Sequence, residues 1–179
     1  MKKILQTIIT LLLFSVAFAT HPLSDINSSA VTMLAIHLDH SQSYNQKLLM
    51  NGDMGIILYS TRNDRVKPTV RDLHYFANLN ELIKMEHQKD GRIDWHDKAM
   101  PQLFLLTFLN NGRKYNLVPI QKTGVRALYL TKEHIKNSND LKDADASFHK
   151  VAEFAIMSDG SKRLILPIVV NRSLLDVFR

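Results

Sequence analysis

The chain has 179 residues, 45% of them hydrophobic, and a formal net charge of +6 at pH 7. This apolar content is typical of a globular protein and excludes an intrinsically disordered chain. The basic residues are scattered singly or in pairs rather than in a stripe, so we expect no nucleic-acid partner. Cysteine is absent, which excludes disulfide bonds and thiolate zinc sites.

Residues 1–19 have the pattern of a secretory signal peptide. Lys2 and Lys3 precede an apolar run that ends in Ala17-Phe18-Ala19, an A-x-A cleavage site. The run is interrupted by polar residues and is shorter than the roughly 18 to 20 apolar residues that cross a membrane as a helix. We therefore expect cleavage after Ala19, a single domain at residues 20–179, a secreted or periplasmic location, and no transmembrane anchor after cleavage.

Two apolar segments early in the mature chain predict buried strands. Residues 31–38 carry apolar side chains on both faces of a period-2 pattern, and residues 56–59 form a shorter apolar run. His37, Asp39 and His40, at the end of the first segment, are residue types that bind zinc. In a strand His40 would point away from the other two, so we interpret this run as a polar strand end.

Residues 69–83 have the pattern of an amphipathic helix. Thr69 and Asp72 stand at the spacing of a capping box, and Asn78 begins a second run that resembles a cap. The apolar residues recur at helical spacing and are Val70, Leu73, Phe76, Ala77, Leu79, Leu82 and Ile83. The sequence therefore predicts a helix that runs up to residue 86.

Residues 86–97, E-H-Q-K-D-G-R-I-D-W-H-D, resemble an EF-hand calcium loop. In that loop twelve residues surround one cation, with ligands from positions 1, 3, 5, 7, 9 and 12 and a glycine at position 6. Gly91 stands at position 6, and Ile93 stands at position 8, where an EF-hand has the apolar residue that anchors the loop to the core. The resemblance implies a calcium site whose ligands are Glu86, Gln88, Asp90, the backbone carbonyl of Arg92, Asp94 and Asp97.

Departures from the EF-hand pattern predict that calcium binds weakly. Glu86, Gln88 and Asp97 each differ by one methylene from the residue that the family uses at that position, which changes the reach of the ligand oxygens. Lys89 and Arg92 also place positive charge inside the loop. Two interpretations stay open: the loop binds calcium weakly and so stabilises the fold, or it is a scaffold that has lost its metal.

After this loop the sequence predicts a short helix and then antiparallel strands. Pro101 ends any helix early, and residues 103–108 form an apolar run. Asn110-Asn111-Gly112 predicts a hairpin turn, with the partner strand at residues 114–120 and a third strand at residues 125–131.

The last part of the chain predicts a surface loop and a second hairpin. Residues 133–147 are polar and charged, with few apolar anchors. Residues 151–157 and 162–170 are strand-like segments on either side of a turn at Asp159-Gly160. Pro167 indicates an edge or a bulge in the last strand.

The order of these pieces resembles a module of secreted bacterial haemolysin-type calcium-binding proteins. That module has an apolar helix, a loop of the form D-x-N-G-D-G-x-I-D-x-x-D, a strand, a glycine before another strand, and a hairpin around a D-G turn. Residues 90–94 and Asp97 match the loop, Gly124 precedes a strand, and residues 158–160 match the hairpin. Residues 109–113, L-N-N-G-R, stand where the family has an acidic second repeat, and they lack carboxylates.

The sequence thus predicts an α+β fold, in which an EF-hand-like helix-loop-(short helix) segment at residues 69–101 packs on a small antiparallel sheet with C-terminal hairpins. The chain has no nucleophile elbow, HExxH motif or paired-carboxylate spacing, so we expect a non-enzymatic protein. Its expected ligand is Ca²⁺. The alternative is a metal-free interaction or adhesion protein with an unidentified protein or cell-surface partner.

Overall fold

The computed structural model describes residues 20–38, 49–62, 67–130 and 154–176. The predicted signal peptide and the predicted surface loop at residues 133–147 lie outside these residues, as do Asp39 and His40 of the polar strand end. None of the helices in the described ranges has the length and apolar character needed to cross a membrane.

A ten-stranded antiparallel sheet is the main element of the described chain. Its strands are β1 (His21–Pro22), β2 (Ala30–His37), β3 (Met54–Ser60), β4 (Leu73–Tyr75), β5 (Arg92–Asp94), β6 (Leu103–Leu109), β7 (Lys114–Pro119), β8 (Val125–Tyr129), β9 (Phe154–Met157) and β10 (Lys162–Asn171). The main path through the sheet is β1-β4-β3-β2-β10-β9-β8-β5, and the hairpin of β6 and β7 joins it through β3.

The sheet curls into a half-barrel. Residues from strands that are distant in this order therefore share one core. Alternate side chains of each strand point to opposite faces, so β2 sends Leu34 to one core and Met33 to the other. The inner cluster includes Leu34, Ile57, Ile93, Leu105, Leu128 and Ile165. The outer cluster includes Met33, Ile56, Leu73, Leu106, Phe108 and Ile168.

Short helical turns close the two faces of the sheet. Helix α1 (Leu79–Ile83) contributes Leu82 to the inner cluster. Helix α2 (Arg172–Leu175) and the 3₁₀ turn Leu23–Asp25 contribute buried leucines to the outer cluster. These are single turns of helix on a sheet, so the predicted α+β class was wrong and the fold is mostly β.

The predicted helix at residues 69–83 exists only in its last third. Val70–Asp72 forms one 3₁₀ turn, and Leu73–Tyr75 is strand β4, which pairs with the end of β3. Phe76 is buried in the inner cluster, and its carbonyl accepts a 2.9 Å hydrogen bond from the Leu34 amide of β2. Pairing with two strands distant in the sequence therefore overrides the local helical spacing, since helix propensity is a weak term.

The segment at residues 69–101, predicted as a helix-loop-(short helix) packed on the sheet, instead contributes strands to the sheet. Residues Arg92–Asp94 of the loop form β5, which pairs with β8. After the loop the chain makes only the 3₁₀ turn Met100–Gln102, with Pro101 inside it, before β6 begins. The predicted short exiting helix is thus a single 3₁₀ turn.

Both predicted hairpins are confirmed, except that residues 151–153 of the second lie outside the described part of the chain. Asn110, Asn111 and Gly112 all have positive φ (53°, 57° and 80°) in the turn that joins β6 to β7. Gly160 has φ 81° in the turn between β9 and β10. Asparagine and glycine tolerate this left-handed backbone better than other residues do, which explains why the sequence identified these turns.

The predicted third strand is present as β8, but it does not extend the β6–β7 hairpin. The 3₁₀ turn Ile120–Thr123 and the left-handed Gly124 (φ 84°) turn the chain away from β7. The carbonyl of Gly124 accepts a 2.6 Å hydrogen bond from the Ser158 amide at the far end of the chain. Strand β8 therefore lies between β9 and β5, which brings residues 86–97 to the sheet.

Candidate functional site

The site is the loop at residues 86–97, which the core holds near both of its ends. It follows α1, and Met85, two residues beyond the end of that helix, is buried in the inner cluster. At the other end Ile93 is fully buried in the same cluster, opposite Leu128 of β8. Ile93 thus anchors the loop, as its position in the sequence pattern predicted. Gly91 (φ 77°) makes the sharp turn at position 6.

Strand β5 fixes the direction of the loop's polar side chains. Ile93 points into the core, so Arg92 and Asp94, one residue to either side, point to the other face of the sheet. The Gly91 carbonyl accepts a 2.8 Å hydrogen bond from the Leu130 amide, which continues the ladder between the loop and β8. The second half of the loop is therefore an edge strand of the sheet, with a defined register against β8.

The guanidinium of Arg92 lies between two of the predicted ligands. Its Nε atom is 3.0 Å from Oδ2 of Asp90 and 3.2 Å from Oδ2 of Asp94. A side-chain hydrogen bond with Tyr129 of β8, followed by the charges of these two carboxylates, holds the pKa of Arg92 above its usual range. The predicted calcium ligand Arg92 thus uses its side chain as a cation inside the loop.

The carboxylate of Asp97 ties the two ends of the loop together. It is buried, with Oδ2 accepting a 3.0 Å hydrogen bond from the Asp94 amide and Oδ1 lying 3.4 Å from the His87 amide. Asp94 in turn accepts a 2.8 Å hydrogen bond from the His96 amide at Oδ1, and Nδ1 of the His96 ring lies 3.0 Å from the same oxygen. Asp94 and Asp97 therefore act as internal caps of the turn at residues 94–97.

The remaining predicted ligands lie along the first half of the loop. Glu86 accepts a 3.2 Å hydrogen bond from the Asp90 amide, and Asp90 accepts a 3.1 Å hydrogen bond from the Arg92 amide. Gln88 is exposed at the tip. The structure thus brings Asp90, Asp94 and the Arg92 side chain together, whereas Glu86, Gln88 and Asp97 lie at other points along the loop.

This arrangement does not fit a calcium ion as it stands. Calcium takes six to eight oxygens that converge on one point. The four carboxylates supply enough oxygens, but loop amides and the Arg92 guanidinium already use most of them. No group of three acidic or histidine side chains in the described part of the chain converges on a metal position. An ion between Asp90 and Asp94 would have to displace Arg92.

Sequence reasoning missed the side-chain role of Arg92 because the EF-hand pattern uses only the backbone at position 7. The signal was present as the alternation D-x-R-x-D at residues 90–94. Arg92 and Asp94 share a face of β5, and the turn at Gly91 brings the Asp90 carboxylate back to the Arg92 amide, so this spacing places one cation between two anions.

Sequence reasoning also missed a second polar cluster, where β1 and α1 meet. Glu81 is buried, and its Oε2 accepts a 2.6 Å hydrogen bond from the Ala77 amide, while Oε1 is bonded to Asn78 Nδ2 at 3.0 Å and lies 3.2 Å from His21 Nε2. His21 also stacks on Tyr75 of β4. This cluster attaches the start of the described chain to the half-barrel.

Trp95 lies at the tip of the turn that Asp94 and Asp97 hold. It is 72% exposed, the largest value among the exposed large hydrophobic residues of the described chain. Its ring lies against that of His96, with centroids 3.4 Å apart and planes tilted by 34°.

A scan against protein-family models and a search of curated proteins gave no match to this chain.

Proposed function

We propose that this chain is a secreted or periplasmic, non-enzymatic binding protein in which the 86–97 loop is a scaffold that closes without a metal ion. The single observation that supports the proposal most is the Arg92 guanidinium between Asp90 and Asp94. In this interpretation Arg92 takes the part that a bound cation plays in an EF-hand loop.

Arg92 has two advantages over a free ion at this position. It is covalently part of the loop, so its effective concentration beside the carboxylates does not depend on the medium. Its planar guanidinium also matches carboxylate geometry and gives up less hydration than a compact cation does. Calcium would have to displace this group and reorganise oxygens that already accept amide hydrogen bonds, which makes binding weak.

Weak calcium binding is the second candidate, and the left-handed Gly91 at position 6 favours it. Four carboxylates lie on a loop that carries only two basic residues, Lys89 and Arg92, so the loop keeps a net negative charge. If the ion binds, the same six residues named from the sequence would supply its oxygens. Extracellular calcium sites work with Kd on the order of 10⁻⁴ to 10⁻³ M, so even a weak site could be filled.

Thermal melting separates the two candidates. Residues 20–179 are melted in chelator, in magnesium and in calcium up to several times the weak end of that range. A ligand that binds only the native state stabilises it by RT ln(1 + [L]/Kd), so a filled site raises Tm. The scaffold proposal predicts the same Tm in all three solutions. A rise in calcium alone, absent from Asp90→Ala, would overturn it in favour of the second candidate.

A further inference from the structure

The exposure of Trp95 is built into the fold. The amides of Asp94 and His96, on either side of it, are both hydrogen-bonded to loop carboxylates, and Ile93 is fixed in the core. A large aromatic side chain typically removes about 150 to 250 Å² from water when it is buried. The fold forgoes most of that stabilisation at Trp95 while holding its backbone rigid, which is the arrangement of a binding residue.

The surroundings of Trp95 are polar. The other exposed large hydrophobic residues of the described chain are Leu109, Tyr115 and Val169, which lie on β6, β7 and β10. Trp95 therefore presents a single aromatic ring instead of a continuous apolar patch. Protein interfaces have an apolar, charge-depleted centre, so this surface suits a smaller, amphipathic ligand better.

The sheet register supplies a polar rim beside this ring. Asp94 pairs with Ala127 of β8, so the exposed Arg126 lies at the end of β8 where Trp95 leaves β5. Ala127 pairs in turn with Ile156 of β9, and the turn at residues 158–161 follows at the same end of the sheet. Two strand spacings of about 4.8 Å place that turn roughly 10 Å from the loop, about the length of two sugar rings.

We propose that Trp95 and His96 form a platform that binds a glycan of pyranose sugars. The apolar C–H face of a pyranose ring stacks on an indole, and the hydroxyl groups at its edge bond to polar side chains such as His96 and Arg126. Small-ligand sites combine an apolar or aromatic surface with a few polar groups that set orientation. This inference rests on the proposed function, in which the loop is a metal-free scaffold, and it specifies the ligand that the scaffold binds.

Trp95 is the only tryptophan, so its emission reports binding directly. Residues 20–179 are titrated in chelator with chitotetraose, cellotetraose and maltotetraose. At least one sugar is expected to give a saturable blue shift, because stacking removes water from the indole. A titration that is flat with all three sugars, both in chelator and in calcium, would overturn the proposal.

The role of Trp95 is tested by retention of the protein on chitin, cellulose or amylose, whichever is the polymer of the sugar that binds. Trp95→Ala should fold normally, by circular dichroism, and lose retention at least tenfold, and Trp95→Phe should keep part of it. Tyr115→Ala, a change at another exposed aromatic residue, should be retained like the parent chain. Retention that Trp95→Ala does not alter would contradict the platform. Sugar binding that requires calcium would keep the platform and reject the metal-free scaffold.

Discussion

Arg92 connects the 86–97 loop to the sheet through three side chains. It contacts Asp90 and Asp94 within the loop and forms a hydrogen bond with Tyr129 of β8. Tyr129 itself stacks on Phe154 of β9, with ring centroids 5.0 Å apart. A single side chain therefore joins the charge balance of the loop to the aromatic packing of the neighbouring strands.

Replacing Arg92 should destabilise the protein more than replacing an exposed arginine does. In Arg92→Gln the Asp94 carboxylate, whose side chain is only 10% exposed, loses its charged partner. We expect a loss of about 1 to 2 kcal/mol in the free energy of unfolding, at the lower end for a charged hydrogen bond because Arg92 itself is 39% exposed. The urea midpoint measures this. Arg113→Gln, at the exposed β6–β7 turn, is the matched control, and equal midpoints for the two variants would contradict the role of Arg92.

Replacing Glu81 should also lower the free energy of unfolding, because its carboxylate oxygens accept buried hydrogen bonds. Glu81→Ala removes both oxygens from a buried position and leaves the Ala77 amide and the Asn78 side chain without an acceptor. An unsatisfied buried donor costs about 1 to 3 kcal/mol. Guanidinium unfolding of Glu81→Ala and of a control, Asp25→Ala at an exposed acidic residue, measures the difference, and a Glu81→Ala midpoint no lower than the control's would reject this assignment.

At the scale of elements, alternation predicted strands better than helical spacing predicted helices. Strands β2, β3, β6 and β7 and the two hairpins follow from apolar runs and turn residues that act locally. The run at residues 70–83 also has helical spacing, and pairing of Leu73–Tyr75 with β1 and β3 decides its structure. Those partners lie earlier in the chain and leave no local signal. The same reason hides the pairing of the loop with β8.

Thr69 and Asp72 form the predicted capping box even though the predicted helix is reduced to a 3₁₀ turn there. This pair makes stability depend on pH. The Asp72 carboxylate accepts hydrogen bonds from the Thr69 hydroxyl (2.6 Å) and the Thr69 amide (2.8 Å). The hydroxyl, then the amide, lower the pKa of Asp72. A lowered native pKa gives stability that is present above the usual Asp value of about 3.9 and is lost as pH falls through the native value.

Asp72→Asn should therefore melt below the parent chain at pH 6, and the gap should close as the pH approaches 2. Thr69→Val, which removes the hydroxyl donor at nearly constant volume, should show the same dependence with a smaller gap because the amide remains. Differential scanning calorimetry across this range measures both variants. A gap that stays constant down to pH 2 would show that the charge of Asp72 is not the source of the stability.

At the scale of the whole molecule, one curled sheet carries its two largest apolar clusters on opposite faces. Strands β2, β3 and β6 contribute side chains to both clusters, so neither cluster can open without disturbing the other. The 86–97 loop belongs to this unit through Ile93, which explains how a sheet edge can hold an exposed tryptophan rigidly.

Unfolding should consequently be a single transition. Phe76→Ala in the inner cluster and Phe108→Ala in the outer cluster each empty a fully buried site, and each should lower stability by about 3 to 5 kcal/mol. Far-ultraviolet and near-ultraviolet circular dichroism in urea should give the same midpoint within each variant. Two separated transitions in either variant would mean that the clusters fold independently.

Hydrogen exchange at the loop amides tests the central claim, a loop that closes on itself without a metal ion. The amides that donate to loop carboxylates are His87, Asp90, Arg92, Asp94 and His96. In chelator these amides should exchange much more slowly than the amide of exposed Gln88, and calcium should leave their rates unchanged. Rapid exchange in chelator that becomes slow on addition of calcium would contradict the account and make the ion, not Arg92, the group that orders the loop.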